Sequence, residues 1–183
     1  MPFVQLYNGV SLEHQQALAE SHSVGGLCCA FAMHWIRKRL KGKVVGNDTY
    51  GDIKRLNKIA KNQQKQAGGC FSAGGQKAVA GAYGLVLNET LLYGYTPATF
   101  GGDDPHIRGA APNVGCYYIS AAGAIGHGWA VHNTGAQMLL ADVGAGIYTV
   151  TDMTVAEACT RHFNLLKDAI GLTGYGIYSI GVK

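Results

Sequence analysis

The chain has 183 residues, of which 48% are hydrophobic and 14% are charged, and its formal net charge is +4. A charged fraction well below the typical value of about a quarter excludes a disordered chain and predicts one compact domain over residues 1–183. The basic residues gather between Arg37 and Lys65, which is typical of a solvated helical face and leaves an acidic partner or anionic membrane surface as the alternative.

The apolar periodicity predicts helices first and strands later in the chain. The helices are expected over residues 11–20 (capped by Ser11), 28–41, about 48–67, 74–83 and 155–170. The extended segments are expected over residues 85–93, 114–122, 127–133, 136–143, 147–152 and 173–183. This order predicts an α+β fold with N-terminal helices packed on a C-terminal antiparallel sheet. Residues 95–113, rich in Gly, Pro and Asp, are expected to form a long loop, and residues 94–113 to carry recognition.

The cysteines and the N-terminus limit the classes of protein that fit. Five cysteines cannot all pair within the chain, and the first residues, MPFVQLYNG, lack the charged and apolar regions of a Sec-type signal peptide. No apolar run reaches the roughly 18 residues of a membrane span, and no Cys-x-x-Cys spacing indicates zinc. We therefore expect reduced thiols, no metal or other cofactor, no membrane span and no nucleic-acid partner.

The segment GHGWAVHNTGAQMLLADVG predicts a hairpin that turns at residues 133–136. A hairpin symmetric about that turn places His127 directly opposite Asp142, on the face that also carries Trp129. An aspartate there can hold one imidazole nitrogen and leave the other free to act as a base. His132 falls on the opposite face. A surface ion pair is the alternative interpretation, and a nearby nucleophile would favour catalysis.

Two adjacent cysteines open the second predicted helix, in the segment GGLCCAFAMHWI. Cys28 falls in the first turn, where the helix dipole and free N–H groups stabilise a thiolate. Its own N–H can form half of an oxyanion hole. Cys29 points about 100° further round the helix, toward the core. We therefore expect Cys28 to be a nucleophile, and the buried core cysteines to be Cys29, Cys70, Cys116 and Cys159.

Three motifs resemble those of the YopT/AvrPphB-type cysteine proteases. GLCCAFAMHWI is similar to the helix-opening motif of that family, with matches at Gly26, Cys28, Ala30, Phe31 and Trp35. GHGWAVH resembles its histidine strand and LLADVGAGIY its acidic segment, so that the resemblance spans about residues 23 to 150. It implies a papain-like fold with a catalytic triad of Cys28, His127 and Asp142.

The family consists largely of bacterial virulence effectors that cut host proteins. The resemblance therefore implies a thiol protease that is made in the bacterial cytoplasm and secreted by a non-Sec route into a host or target cell. Its expected partners are a protein substrate there and a cognate immunity protein, inhibitor or chaperone. His22 and Ser23 stand where papain-like enzymes usually carry Asn or Gln, so these two residues and the Cys28 N–H are the candidate oxyanion-hole donors.

Two alternatives to a protease remain at this point. The same triad suits a deamidase, a transglutaminase or a peptidoglycan amidase, because all of these enzymes catalyse acyl transfer. A non-catalytic binding module, in which Cys28 is merely buried, is the other alternative.

Overall fold

The computed structural model describes residues 3–22, 24, 26–43, 53–65, 73–88 and 114–183. This part of the chain contains five helices and seven strands. In chain order they are β1 (Phe3–Tyr7), α1 (Leu12–Ser21), α2 (Cys28–Leu40), α3 (Ile53–Gln63), α4 (Ala73–Ala82), β2 (Leu85–Leu87), β3 (Gly115–Gly123), β4 (His127–Asn133), β5 (Met138–Asp142), β6 (Gly146–Val150), α5 (Val155–Ile170) and β7 (Leu172–Val182).

The seven strands form one antiparallel sheet in the order β1-β6-β5-β4-β3-β7-β2. Strands β3 to β6 are sequential neighbours, and β7 returns to pair with the other side of β3. The predicted α+β class is thereby confirmed. Strand β1 was not predicted, because most of its residues are exposed and give no alternating apolar signal.

Helices cover both faces of the sheet. Helices α1 to α4 share one hydrophobic core with the sheet face that carries Ala130 and Ala141. Helix α5 packs on the opposite face, in a second core that contains Trp129 and Leu140. Because strand residues alternate between faces, one strand serves both cores. The expected packing of N-terminal helices on the sheet is found, and α5 adds a layer on the other side.

The ends of α5 are fixed by local hydrogen bonds. Thr154 Oγ1 accepts from the Glu157 N–H at 3.2 Å, and the Glu157 carboxylate accepts from the Thr154 N–H at 2.7 Å. This reciprocal capping box satisfies donors that the first helical turn leaves open. Gly171 ends the helix in the left-handed conformation, with φ 65°. Helix α1 is capped by Ser11, as predicted.

The β4–β5 hairpin differs from the prediction in its register. The observed pairs run from Ala130 opposite Ala141 to Asn133 opposite Met138, a displacement of two residues. The cause is the turn, because Asn133 Oδ1 accepts from the N–H of Gly135, which has φ 85°. A shift of two residues preserves the strand faces. His127 and Asp142 therefore share a face as expected, although they are not directly opposed.

The predicted element boundaries agree closely with the structure where it describes the chain. Helix α2 begins at Cys28 as predicted, and α3 lies inside the predicted 48–67 segment. The predicted start of α3, the strand beyond residue 88 and the loop over 95–113 lie outside the described residues. No helix in the described part of the chain is long and apolar enough to cross a membrane.

The loop between β1 and α1 passes very close to the turn after β5. A Cβ atom at Gly9 would overlap the backbone carbonyl of Gly144. Because neither backbone segment can move freely, we expect Gly9→Ala to lower the free energy of unfolding by about 1–3 kcal/mol. Gly81→Ala, in α4, is the control, since its Cβ would meet only Lys183 Nζ at 4.0 Å. Denaturant titration measures both variants, and unchanged stability of Gly9→Ala would contradict this close approach.

Candidate active site

The start of α2 places one cysteine beside an open backbone donor. Cys28 is the first residue of the helix, its side chain is largely buried, and its N-cap residue, Leu27, supplies no side-chain hydrogen bond. The Ala30 N–H donates to Gln63 Oε1 at 2.8 Å, and the Phe31 N–H donates to the Leu27 carbonyl at 2.9 Å. The Cys28 N–H has no acceptor among the described residues, so it can donate a hydrogen bond to a ligand oxygen.

The structure brings Cys28, His127 and Asp142 together. His127 Nε2 donates to Asp142 Oδ2 at 2.7 Å, and the Cys28 side chain lies near the imidazole, where it helps to raise the pKa of His127. Because Nε2 faces the carboxylate, Nδ1 is the nitrogen left for the thiol. The His127 side chain is 15% exposed and that of Asp142 only 1%. A candidate nucleophile thus lies near a candidate base, which is hydrogen-bonded to an orienting carboxylate.

Asp142 accepts hydrogen bonds on both carboxylate oxygens. Its Oδ1 accepts from the Gly144 and Ala145 N–H groups at 2.8 and 3.1 Å. Its Oδ2 accepts from His127 and also from His162 Nε2, at 2.8 Å. A buried carboxylate is tolerated only when such donors replace the lost water.

Charges within the cluster favour an ionised His127–Asp142 pair. Burial alone would lower the pKa of His127, but the Asp142 carboxylate and the Cys28 side chain hold that pKa well above 6.5. Burial likewise opposes ionisation of Asp142, but the two histidines hold its pKa far below the usual range. The negative charge of Asp142 is therefore available to stabilise an imidazolium at His127.

His162 was not predicted as part of the site. This residue lies on α5, and its side chain is 3% exposed. Helical spacing places it on the same buried stripe as Val155 and Cys159. The available signal was a polar residue on an otherwise apolar helix face, which indicates a buried hydrogen-bond partner without naming it.

The His22 side chain, one of the candidate oxyanion-hole donors, is hydrogen-bonded to a residue outside the triad. His22 Nε2 donates to Asn57 Oδ1 at 3.0 Å, which directs this imidazole toward α3. The His22 carbonyl accepts from Gln64 Nε2 at 2.7 Å. Ser23 lies outside the described residues. Of the three candidates, the Cys28 N–H is the one that the structure places at the thiol.

The remaining described cysteines lie in the core. Cys29 is buried and interacts with the Tyr118 hydroxyl, so it lies in the core as predicted. Burial raises the pKa of Cys116 to about 12, and it also raises the pKa of Cys159. All four described cysteines are free thiols. Cys70 lies outside the described residues.

The second histidine of β4 has a different environment. His132 lies on the other strand face, where Arg39 Nε donates to its Nδ1 at 3.4 Å. Burial and the Arg39 charge lower the pKa of His132. Across the described residues, no group of three or more His, Cys, Asp or Glu side chains is arranged to hold a metal ion.

The fold of the chain is similar to that of a solved structure. The crystal structure of the Pseudomonas avirulence protein AvrPphB matches 85% of this chain and 92% of its own, with a TM-score of 0.54 and 16% sequence identity. The fold is papain-like. No protein-family model matches the chain, and no curated protein sequence matches it. At 16% identity the likeness supports the fold and no closer relation.

The charge distribution around His127 predicts how this residue titrates. We expect His127 to stay protonated well above pH 6.5, and Asp142→Asn to lower its midpoint, because the carboxylate stabilises the imidazolium. By linkage, the stability that His127 contributes is fully present below about pH 6.5 and is lost as pH rises through its folded-state pKa. NMR titration of the histidine ring signals measures the midpoint. An identical midpoint in both proteins would contradict the pairing.

Proposed function

We propose that the protein is a thiol protease that acts as a secreted bacterial effector or toxin and cleaves a protein in the target cell. The observation that supports this most directly is the arrangement of Cys28, at a helix start, near His127, which is hydrogen-bonded to the buried Asp142. The fold shared with AvrPphB supports the same conclusion. Fold alone would not, because one fold can carry many activities.

The proposed reaction is acyl transfer through a thioester. The Cys28 sulfur attacks the scissile carbonyl carbon while His127 holds the proton, and the carbonyl oxygen becomes an oxyanion. The intermediate collapses as the C–N bond breaks, and His127 gives its proton to the leaving amine. Water then attacks the thioester, His127 takes a proton from that water, and the Cys28 sulfur leaves to regenerate the starting enzyme. Asp142 orients His127 and stabilises its positive charge without itself becoming protonated.

The oxyanion of this reaction needs donors that are already in place. The Cys28 N–H is a suitable first donor, because the start of α2 leaves it open within the described residues. Ser23 and His22 stay candidates for the second donor. His22 would first have to leave its hydrogen bond to Asn57, whereas Ser23 lies two residues before Gly25, at which the cysteine motif begins.

The biological setting is part of the proposal. The protein is made in the bacterial cytoplasm and enters a host or target cell by a non-Sec route, where its substrate is a protein. A cognate immunity protein, inhibitor or chaperone would restrain it in the producing cell. The fold of an avirulence protein and the three protease-like motifs support this setting.

Replacing the nucleophile tests the proposed reaction. We expect Cys28→Ala to abolish cleavage and toxicity while the protein stays folded, because the thioester cannot form. Cys29→Ala is the matched control and should keep most activity, since the Cys29 thiol is buried against Tyr118. Target-cell lysates treated with each protein are compared by mass spectrometry for new N-termini and for deamidated glutamines.

Each outcome of the lysate comparison has a defined meaning. New N-termini that depend on Cys28 support a protease. Deamidated sites that depend on Cys28, without new N-termini, would replace the protease with the deamidase alternative. Full activity of a folded Cys28→Ala protein would exclude the mechanism.

The environment of Asp142 predicts a large effect of Asp142→Asn. If the side-chain oxygen of the asparagine accepts hydrogen bonds from the two backbone N–H groups, its NH₂ group must face the Nε2–H groups of His127 and His162. His127 would then have to carry its proton on Nδ1, facing Cys28, and this disfavours its action as a base. We expect turnover to fall by up to about 10⁴-fold, as in triads with the wrong tautomer. Wild-type turnover by a folded Asp142→Asn protein would remove Asp142 from the site.

A further inference from the structure

The hydrogen bonds of Asp142 involve a residue outside the triad, His162. An ionised carboxylate only accepts hydrogen bonds and has about four lone-pair sites. The turn after β5 fills two of them with backbone N–H groups on Oδ1. The imidazoles of His127 and His162 fill the other two on Oδ2. Both histidines must therefore carry a proton on Nε2.

His162 reaches this carboxylate from the sheet face opposite the nucleophile helix. It lies on α5, whose first turn is fixed by a capping box. Its ring meets Trp129 edge to face at a centroid distance of 5.2 Å and lies 6.5 Å from the ring of Tyr148. A buried imidazole that packs near two aromatic rings on a capped helix has little freedom to turn, so its Nε2–H is a fixed donor.

We propose that His162 is a positioning residue of the active site, which acts by holding the Asp142 carboxylate so that Oδ2 meets the His127 Nε2–H. This inference rests on the proposed function. The backbone N–H groups contact Oδ1 alone, so the position of Oδ2 relative to His127 is restrained further by its own donors. His162 fixes the second oxygen. The orientation of His127, and through it the reactivity of Cys28, then depends on a helix that does not contact the thiol.

The proposed role predicts the direction in which the pH of His127 deprotonation shifts when His162 is replaced. The ionisable groups around Asp142 are His127 from β4, His162 from α5 and Tyr148 from β6, and Cys28 faces His127 from α2. Loss of alignment would weaken stabilisation of the imidazolium, and His127 would lose its proton at lower pH. If His162 acted only as a nearby positive charge, its removal would instead let His127 keep its proton to higher pH.

Alkylation of Cys28 by iodoacetamide, followed across pH, tests this role without any identified substrate. We expect His162→Leu to slow alkylation by about tenfold, because misplaced reacting groups lose rate steeply. We also expect the alkaline inflection of the rate–pH profile, at which His127 loses its proton, to move to lower pH. His162→Gln can still donate an N–H to Oδ2 and should restore most of the rate. Phe163→Leu, at the adjacent buried position on α5, is the control for a destabilised helix. Melting temperatures are recorded for all variants.

The outcomes separate this role from the proposed function. A wild-type profile for His162→Leu, or loss of rate equal to that in Phe163→Leu, would overturn the positioning role and leave the proposed function standing. An alkaline inflection that moves to higher pH in His162→Leu would also overturn the positioning role. Slow wild-type alkylation, no faster than at a buried core thiol, would overturn the proposed function itself, and the positioning role with it.

A measurement on the wild-type protein keeps the test independent of folding in the variants. ¹⁵N NMR of the histidine rings reports which nitrogen carries the proton. We expect His162 to be protonated on Nε2, as donation to a carboxylate requires. An unprotonated Nε2 on His162 would exclude the hydrogen bond to Asp142 and overturn the proposal.

Discussion

The architecture of the site depends on one buried negative charge. Asp142 is only 1% exposed, and its ionised form is stable because His127, His162 and two backbone N–H groups replace the water it loses. These donors come from β4, from α5 and from the turn after β5. Three parts of the fold must therefore be in place before the carboxylate can be buried. The same requirement fixes the tautomer of His127 and leaves Nδ1 for Cys28.

The charge also explains why both sheet faces contribute to the site. Cys28 belongs to the core formed by α1 to α4, whereas Trp129 belongs to the core under α5. His127 is the first residue of β4, beyond the last β4–β5 pair, so its imidazole can contact groups from both layers. A site at the end of a strand can thus combine a helix start on one face with a helix side chain on the other.

Much of this arrangement could be predicted from the sequence, because local signals determine it. Helical spacing and the Gly-Gly-Leu-Cys-Cys segment located the start of α2, and strand alternation placed His127 and Asp142 on one face. The predicted hairpin register was wrong by two residues. Asn133 was expected to be the first turn residue, but it is the last residue of β4, and its side-chain oxygen accepts a hydrogen bond from the Gly135 N–H in the turn. The partners of His162 and β1 lie 20 residues away in Asp142 and 140 to 147 residues away in β6, and no local pattern encodes such contacts. Strand β1 also lacks the alternating apolar signal by which a strand is predicted.

The most direct test of the account is the rate at which iodoacetamide alkylates each cysteine at pH 7, measured by peptide mapping in the wild type and in His127→Ala. An activated nucleophile should be modified at Cys28 rapidly and ahead of the core thiols Cys29, Cys116 and Cys159, and His127→Ala should abolish that preference while the fold is kept. Slow and equal modification of all the thiols in the folded wild type would show that Cys28 is only a core residue, and would contradict the catalytic account.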